Sequence, residues 1–312
     1  MLHFSQDFFK DEYREGFLVD STMKTVWAAE LEVLSVIAGI CEKYQLRWFA
    51  DWGTLLGAVR HQGFVPWDDD IDICMLREDY QRLLAILPQE LPEGWQVCNS
   101  MYGGNYLQYW ACVLNSDCIS IGAERLKNFH GCPFVVGVDI FPLDYLPRDS
   151  NQVEIQRILF DMIWKSVQLV QLKESTDEIR RELEIILVEI EGICGVRFDR
   201  TKFLVPQLWK LGNQLAASYG ETDGGAYLTE YSDYVERENF IFDKHWFDDV
   251  EYLPFESVFL PVPKGWDSVL KVEYGNYMTP VRGTTDHDYP FYKKQLEELR
   301  NMVRKMEEKG QE

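Results

Sequence analysis

Positive charge is scarce in this sequence. Its 312 residues carry 31 Lys and Arg against 52 Asp and Glu, a formal net charge of −21. Such a chain repels phosphate backbones and anionic lipid headgroups over a Debye length unless a local basic patch intervenes. No Lys/Arg-rich run supplies one outside the mixed-charge stretch 291–309, so nucleic acid is not an expected partner. Also missing is any apolar run long enough to cross a bilayer, and the opening MLHFSQDFFKDEYREGFLVD has acids where a secretory signal has a basic region. The seven cysteines contain no C-x-x-C pair, and Cys112, Cys118, His130 and Cys132 match no standard zinc spacing. The thiols read as reduced and the expected location is cytoplasmic, with peripheral membrane association left open.

Apolar material is ample. Hydrophobic residues make up 46% of the chain and aromatic ones 14%, enough for a packed globular core. Residues 22–45 place apolar side chains at helical spacing, and LRWFAD (46–51) reads as a short strand running into Gly53. TLLGAVRHQ (54–62) suits a brief helix, DIDICML (70–76) alternates carboxylate and apolar residues like a strand, and 77–91 returns to helix. Three further strand-like runs lie at 95–100, 108–115 and 134–141, with Pro142 and Pro147 marking the end of this region. From 149 onward the pattern is long and helical, then short strands at 250–263, a helix at 265–275 and a charged final helix at 291–309 complete the chain. This divides it into a core at 1–148 with an N-terminal helix, an all-helical extension or cap at 149–245, and a C-terminal segment at 246–312.

The chemistry concentrates in FADWGTLLGAVRHQGFVPWDDDIDICML (49–76), where four aspartates fall within five positions. On a strand, Asp68, Asp70 and Asp72 share one face at about 6.5–7 Å spacing while Ile71 and Ile73 enter the core. Two carboxylates about 4 Å apart repel by roughly 1 kcal/mol in water and about 4 kcal/mol at an intermediate dielectric, a penalty that a divalent cation reverses. A calcium loop is excluded because Ile73 stands where its turn needs glycine. Oxygen-only ligands point instead to Mg²⁺ or Mn²⁺ holding a di- or triphosphate. Gly53 and Thr54 at a helix start offer free N–H groups and the positive end of a helix dipole to those phosphates. Gly57 allows close approach, and Arg60 adds a phosphate donor.

The segments DWGTLLGAVRHQGFVPWDDDIDI (51–73), VDIFPLDYLP (138–147), PFESVFLPVP (254–263) and YGNYMTP (274–280) resemble the LicD family, relatives of fukutin and fukutin-related protein within the nucleotidyltransferase fold superfamily. The resemblance implies an α+β fold, with a nucleotidyltransferase-like mixed β-sheet core flanked by helices, an added helical region and a C-terminal segment that returns to the active site. It implies metal-dependent transfer of a phospho-alcohol from a CDP-linked donor, phosphocholine from CDP-choline in the type members. The acceptor would be a cell-surface glycan or its lipid-linked precursor, of the teichoic-acid or lipopolysaccharide kind. The superfamily pattern of a glycine pair followed by Asp-x-Asp falls here on Gly53-Thr54 and Asp70-Ile71-Asp72, with Asp68 a secondary metal ligand. Its third carboxylate, a metal ligand or general base, falls on Asp139, with Asp144 weaker because it follows Pro142 in an expected turn. Arg282 and His287, in the loop RGTTDHD, are candidates for the donor phosphates.

Two alternatives stay open: a nucleotidyltransferase attaching NMP to a small molecule with the same aspartates, and a CDP-ribitol- or CDP-glycerol-dependent enzyme. Choline is favoured more by the family resemblance than by composition, although a quaternary ammonium also needs aromatic faces and nearby negative charge. Aromatic clusters at 106–110 and 289–294 are placed to line such a site, whereas a polyol would use the hydroxyl partners of 282–288.

Overall fold

A computed structural model describes residues 1–100, 106–172, 174, 176–282 and 289–309. Two three-residue strands, β1 (Glu12–Arg14) and β2 (Phe17–Val19), form an antiparallel hairpin. Its two turn residues, Glu15 and Gly16, both have positive φ, the conformation that matches strand twist in a tight hairpin. The long helix α1 (Ser21–Tyr44) follows, capped by the Asp20 carboxylate, which accepts from the Met23 amide at 2.8 Å. Val26, Trp27, Leu31, Leu34 and Ile37 bury its apolar face.

After β3 (Phe49–Ala50), helix α2 (Trp52–Arg60) and strand β4 (Asp72–Leu76), helix α3 (Arg77–Glu90) leads to β5 (Gln96–Cys98), β6 (Ala111–Leu114), the short α4 (Ala123–Asn128) and the long β7 (Gly137–Tyr145). These strands make one mixed sheet in the order β3-β4-β7-β6-β5, in which only β4 and β7 run parallel. The α+β arrangement expected from the sequence, a mixed sheet flanked by helices, is the one observed.

Two local expectations are corrected. The acidic stretch does not enter the sheet at Asp70: β4 begins at Asp72, and Asp68 turns back so that its amide donates to the Val65 carbonyl at 2.9 Å. Asp68, Asp70 and Asp72 therefore do not alternate along one strand. The second correction concerns Pro142, which lies inside β7 and does not end it. On one side β6 pairs with β7 only as far as Ile140, and the next strand on that side begins opposite Asp144, so the missing proline N–H interrupts no ladder there.

That next strand is β8 (Tyr227–Thr229), which pairs with β7 and with β9 (Phe242–Asp243). The segment 149–245 is thus helical but not all-helical. Its helices α5 (Ser150–Gln171), α6 (Asp177–Cys194) and α7 (Val205–Ala216) enclose a separate apolar cluster around Phe160, Ile163, Leu187, Ile190, Leu208 and Trp209. The four-residue α8 (Tyr231–Tyr234) follows β8 directly. The hairpin β10 (Val250–Phe255) and β11 (Val258–Pro263), helix α9 (Trp266–Tyr274) and the terminal α10 (Lys293–Lys309) complete the described chain. Among the described residues no helix is long and apolar enough to cross a membrane.

One buried ion pair joins the sheet to the helical region. Arg77 makes two bonds to Asp144, at 2.6 and 2.7 Å, and also donates to Asn213 of α7 and to the Tyr109 hydroxyl. Asp144 is fully buried on β7, which accounts for the residue and removes it from the expected turn. Asp144→Ala would leave a guanidinium buried without its counter-ion, at a cost of about 3–5 kcal/mol. We expect the urea midpoint to fall accordingly, and an unchanged midpoint would refute this structural role.

Candidate active site

The floor of the site is the parallel pair of β4 and β7. Its register sets Asp72 directly beside Asp139, so the two side chains leave the same face of the sheet from neighbouring strands, which are about 4.8 Å apart. Asp72 is held from α2: its amide donates to Thr54 Oγ1 at 2.9 Å. Asp139 is oriented from β6's approach, where Trp110 Nε1 donates to Asp139 Oδ2 at 2.9 Å. Trp110 in turn stacks on Phe141, with ring centroids 4.9 Å apart.

Above this floor arches the loop before β4. Asp68, Asp69 and Asp70 each present a carboxylate oxygen within 4.8 Å of the others. Trp27 of α1 donates its indole N–H to the Asp68 carbonyl at 3.0 Å, and Asp69 accepts from the Phe291 amide at 2.6 Å. Asp69 is completely buried by that contact, which ties the C-terminal segment to the acidic loop. Burial, followed by the charge of Asp70, pushes the carboxyl groups of Asp68 and Asp72 well above the usual range; Asp139 adds to the effect on Asp72. Bringing a divalent cation among these groups would reverse the sign of that penalty.

Gly53 has an identifiable steric reason. A Cβ at this position would lie 2.0 Å from Asp68 Oδ2, so the absence of a side chain admits the carboxylate to the N-terminal end of α2. The favourable helix-dipole position expected to receive phosphate is thus approached by Asp68 itself. Thr54 is buried and acts on Asp72, as described. Gly57 packs against the Gly63 carbonyl, where a Cβ would stand 2.3 Å away, so its close approach is to the protein's own loop. Arg60 donates to the Tyr277 carbonyl at 2.6 Å and anchors the NYM segment. Arg282 lies over the Phe17 ring and, with Glu15, Gly16, Trp67 and Pro280, lines an open cleft of about 420 Å³ beside the acidic loop. His287 lies outside the described residues.

The aromatic clusters divide. Tyr109 is buried in the helical core and Tyr292 stacks on Phe134, so both are structural. Trp110 and Tyr289 remain near the carboxylates: Tyr289 feels the charges of Asp69, Arg282 and Asp68, and burial pushes its hydroxyl up to about 12.

Sequence reasoning missed Glu30. It occupies the buried face of α1, and its carboxyl is held well above the usual range by burial and then by Asp70, Asp69 and Asp68. The legible signal was an acid falling in the helical stripe of Met23, Trp27, Leu31 and Leu34. The orienting role of Trp110 had no local signal, because it depends on the pairing of β6 with β7.

Comparison with known proteins identifies a domain within the chain. Residues 45–156 match the LicD/FKTN/FKRP nucleotidyltransferase domain. This chain carries a LicD-family domain. The matched residues span α2, the acidic loop, β4 and β7, so the family relationship and the clustered carboxylates fall on the same elements. The chain is 26% identical over 253 residues to the lipopolysaccharide cholinephosphotransferase LicD of Haemophilus influenzae, covering 80% of this chain and 88% of that protein. A 55-residue stretch is 49% identical to an uncharacterized protein of Rickettsia prowazekii, 18% of this chain and 21% of the other. A 48-residue stretch is 38% identical to the human ribitol 5-phosphate transferase FKRP, 15% of this chain and 10% of that protein. The LicD relationship makes this chain a transferase.

Gly53→Ala should displace the Asp68 carboxylate without unfolding the protein. We expect kcat/KM to fall at least tenfold, about 1.4 kcal/mol in transition-state stabilisation, with an unchanged circular dichroism spectrum. Full turnover by this variant would mean that Asp68 does not need its place at the α2 terminus.

Proposed function

We propose that this LicD-family chain transfers a phospho-alcohol from a CDP-linked donor, phosphocholine first, to a glycan hydroxyl at or destined for the cell surface. The observation that carries the reading is the register of Asp72 beside Asp139, with Asp70 and Asp68 adjacent, inside the matched domain. Four clustered carboxylates suit Mg²⁺ or Mn²⁺, and the Cys112 thiol across from Asp139 is hydrogen-bonded to that carboxylate. Asp70, Asp72 and Asp139 would hold the ion, with Asp68 secondary, and the ion would supply charge neutralisation on the donor's phosphates.

In the proposed transfer the acceptor hydroxyl oxygen bonds to the phosphorus that bears the alcohol. The bond from that phosphorus to the bridging pyrophosphate oxygen breaks, and CMP leaves with the bonding pair. Asp139 is the proposed acceptor of the hydroxyl proton, its orientation fixed by Trp110. Choline is supported by the breadth of the relationship: similarity to a cholinephosphotransferase runs over 88% of that enzyme, and similarity to the ribitol 5-phosphate transferase over 10%. The cleft beside the acidic loop supports it further. Phe17 and Trp67 meet edge to face with centroids 6.3 Å apart, Glu15 lies at their rim, and Arg282 shows that a cation is accepted over Phe17.

Following CMP release from CDP-choline, CDP-ribitol and CDP-glycerol at equal concentration, with Mg²⁺ and a glycan acceptor, tests the reading. We expect the highest kcat/KM for CDP-choline. A higher value for either polyol donor would refute the choline assignment, and pyrophosphate release from CTP without CMP formation from any donor would replace the reaction with nucleotidyl transfer. Asp72→Asn and Asp139→Asn should each lower turnover by at least a hundredfold, roughly 2.7 kcal/mol, while the metal-free variants melt no lower than the parent because a carboxylate repulsion is relieved.

A further inference from the structure

A second group of ligand-bearing side chains lies one pleat along β4 from Asp72 and takes no part in the transfer described above. Asp51 immediately precedes α2 after β3, Cys74 is the middle residue of β4, Glu230 immediately precedes α8 after β8, and Glu273 sits in the last turn of α9. Oxygen or sulfur atoms of Asp51, Cys74 and Glu230 lie within 4.8 Å of one another, and all three residues are at most 2% exposed. Cys74 follows Asp72 by two residues, so it faces the same side of the sheet one pleat further on, about 6.5–7 Å along the strand.

The independent observation is Glu273. It is 8% exposed, neither of its carboxyl oxygens is met by a donor from outside the group, and its partner is the carboxyl of Asp51, whose own Oδ2 has no outside donor either. Charge compensation from the described residues is partial and comes to Glu273 from Arg237. Arg237 faces the group, but its guanidinium donates to the backbone carbonyls of Val272 and Glu273 and lies 3.9 Å from Asp233. From outside the group the Trp52 indole donates to Glu230 at 3.1 Å, and within it Asp51 is hydrogen-bonded to Cys74, Glu230 and Glu273. Three carboxyl groups and a thiol in an apolar interior need protons or a cation, since an unpaired buried carboxylate costs several kcal/mol.

We propose that Asp51, Cys74, Glu230 and Glu273 form a closed second cation site for a thiophilic divalent ion of the zinc class, separate from the oxygen-only site at Asp70, Asp72 and Asp139. Asp51, Cys74 and Glu230 already converge, and Glu273, hydrogen-bonded to Asp51, would supply the fourth ligand of a structural zinc, whose ligand atoms stand roughly 3.5 Å apart for bonds of about 2.0–2.3 Å. The hard ion of the catalytic site has little affinity for thiolate, so the donor sets sort the two metals. The ion would fasten the start of α2, and with it Gly53 and Thr54, to β4, β8 and α9. It would act through position, not by touching the reacting atoms.

Cobalt is the probe, because a Co²⁺–thiolate bond absorbs in the near ultraviolet and carboxylate ligation alone does not. The chelator-stripped full chain is titrated with Co²⁺ in the presence of excess Mg²⁺. We expect one equivalent to bind with a thiolate charge-transfer band, the band to persist in an Asp70→Asn/Asp139→Asn variant, and Cys74→Ser to abolish it. Should Cys74→Ser fail to fold, Glu230→Gln should weaken Co²⁺ binding at least tenfold. Absence of the band in the parent protein would overturn the proposal and leave the group sharing protons. Its loss in the Asp70→Asn/Asp139→Asn variant, or its survival in Cys74→Ser, would overturn it equally by placing the ion elsewhere.

Discussion

Two carboxylates fixed side by side on parallel strands set the terms for the rest of this structure. Asp72 and Asp139 cannot move apart without breaking the register of β4 and β7, neighbouring inner strands of the sheet. Like charges at such spacing repel by a few kcal/mol when partly buried, and Asp70 and Asp68 add to the field. A fold that keeps such an arrangement is built around its neutralisation, which in the proposed reaction comes from a divalent cation and in its absence from bound protons.

The surrounding elements hold that arrangement rigidly and from several directions. Thr54 fixes the Asp72 amide, Trp110 fixes the Asp139 carboxylate, and Trp27 fixes the Asp68 carbonyl from a helix more than forty residues upstream. Gly53 removes the one Cβ that would block Asp68, and Phe291 seals Asp69. Each contact joins a different part of the chain to the site. The helical region is joined separately, through the buried bonds of Arg77 to Asp144 and Asn213. This division keeps the catalytic floor and the helical cluster mechanically linked while their apolar cores remain distinct.

The acids and glycines of the site were legible because their chemistry is local. Asp-x-Asp at 70–72 and Gly53-Thr54 stand within twenty residues of one another, and Asp139 carried the same residue type at the end of an apolar run. Their roles were less legible, since each depends on a partner distant in sequence. Gly53, Thr54, Gly57 and Arg60 read as phosphate contacts, and their protein partners, Asp68, Asp72, Gly63 and Tyr277, could not be read beside them. Pro142 looked like a strand end because a missing N–H matters only where a partner strand exists, and the gap between β6 and β8 could not be read from residue order. Alternation placed Asp70 in the strand because it counts polarity alone, and the turn that the Asp68 amide makes onto the Val65 carbonyl leaves no such signal. The β1–β2 hairpin escaped notice because its strands are three residues long and its turn is Glu15-Gly16, not the Asn-Gly that signals such turns most strongly.

The proposed cation between the two strands is open to direct observation. Crystals of the protein soaked with Mn²⁺ and CDP, measured at the manganese absorption edge, would give an anomalous peak at the ion's position. The account predicts a peak within about 2.1–2.2 Å of carboxylate oxygens from both Asp72 and Asp139, with Asp70 or Asp68 completing the protein ligands. A peak that touches neither strand, or an ordered CDP with no metal against Asp72, would contradict it.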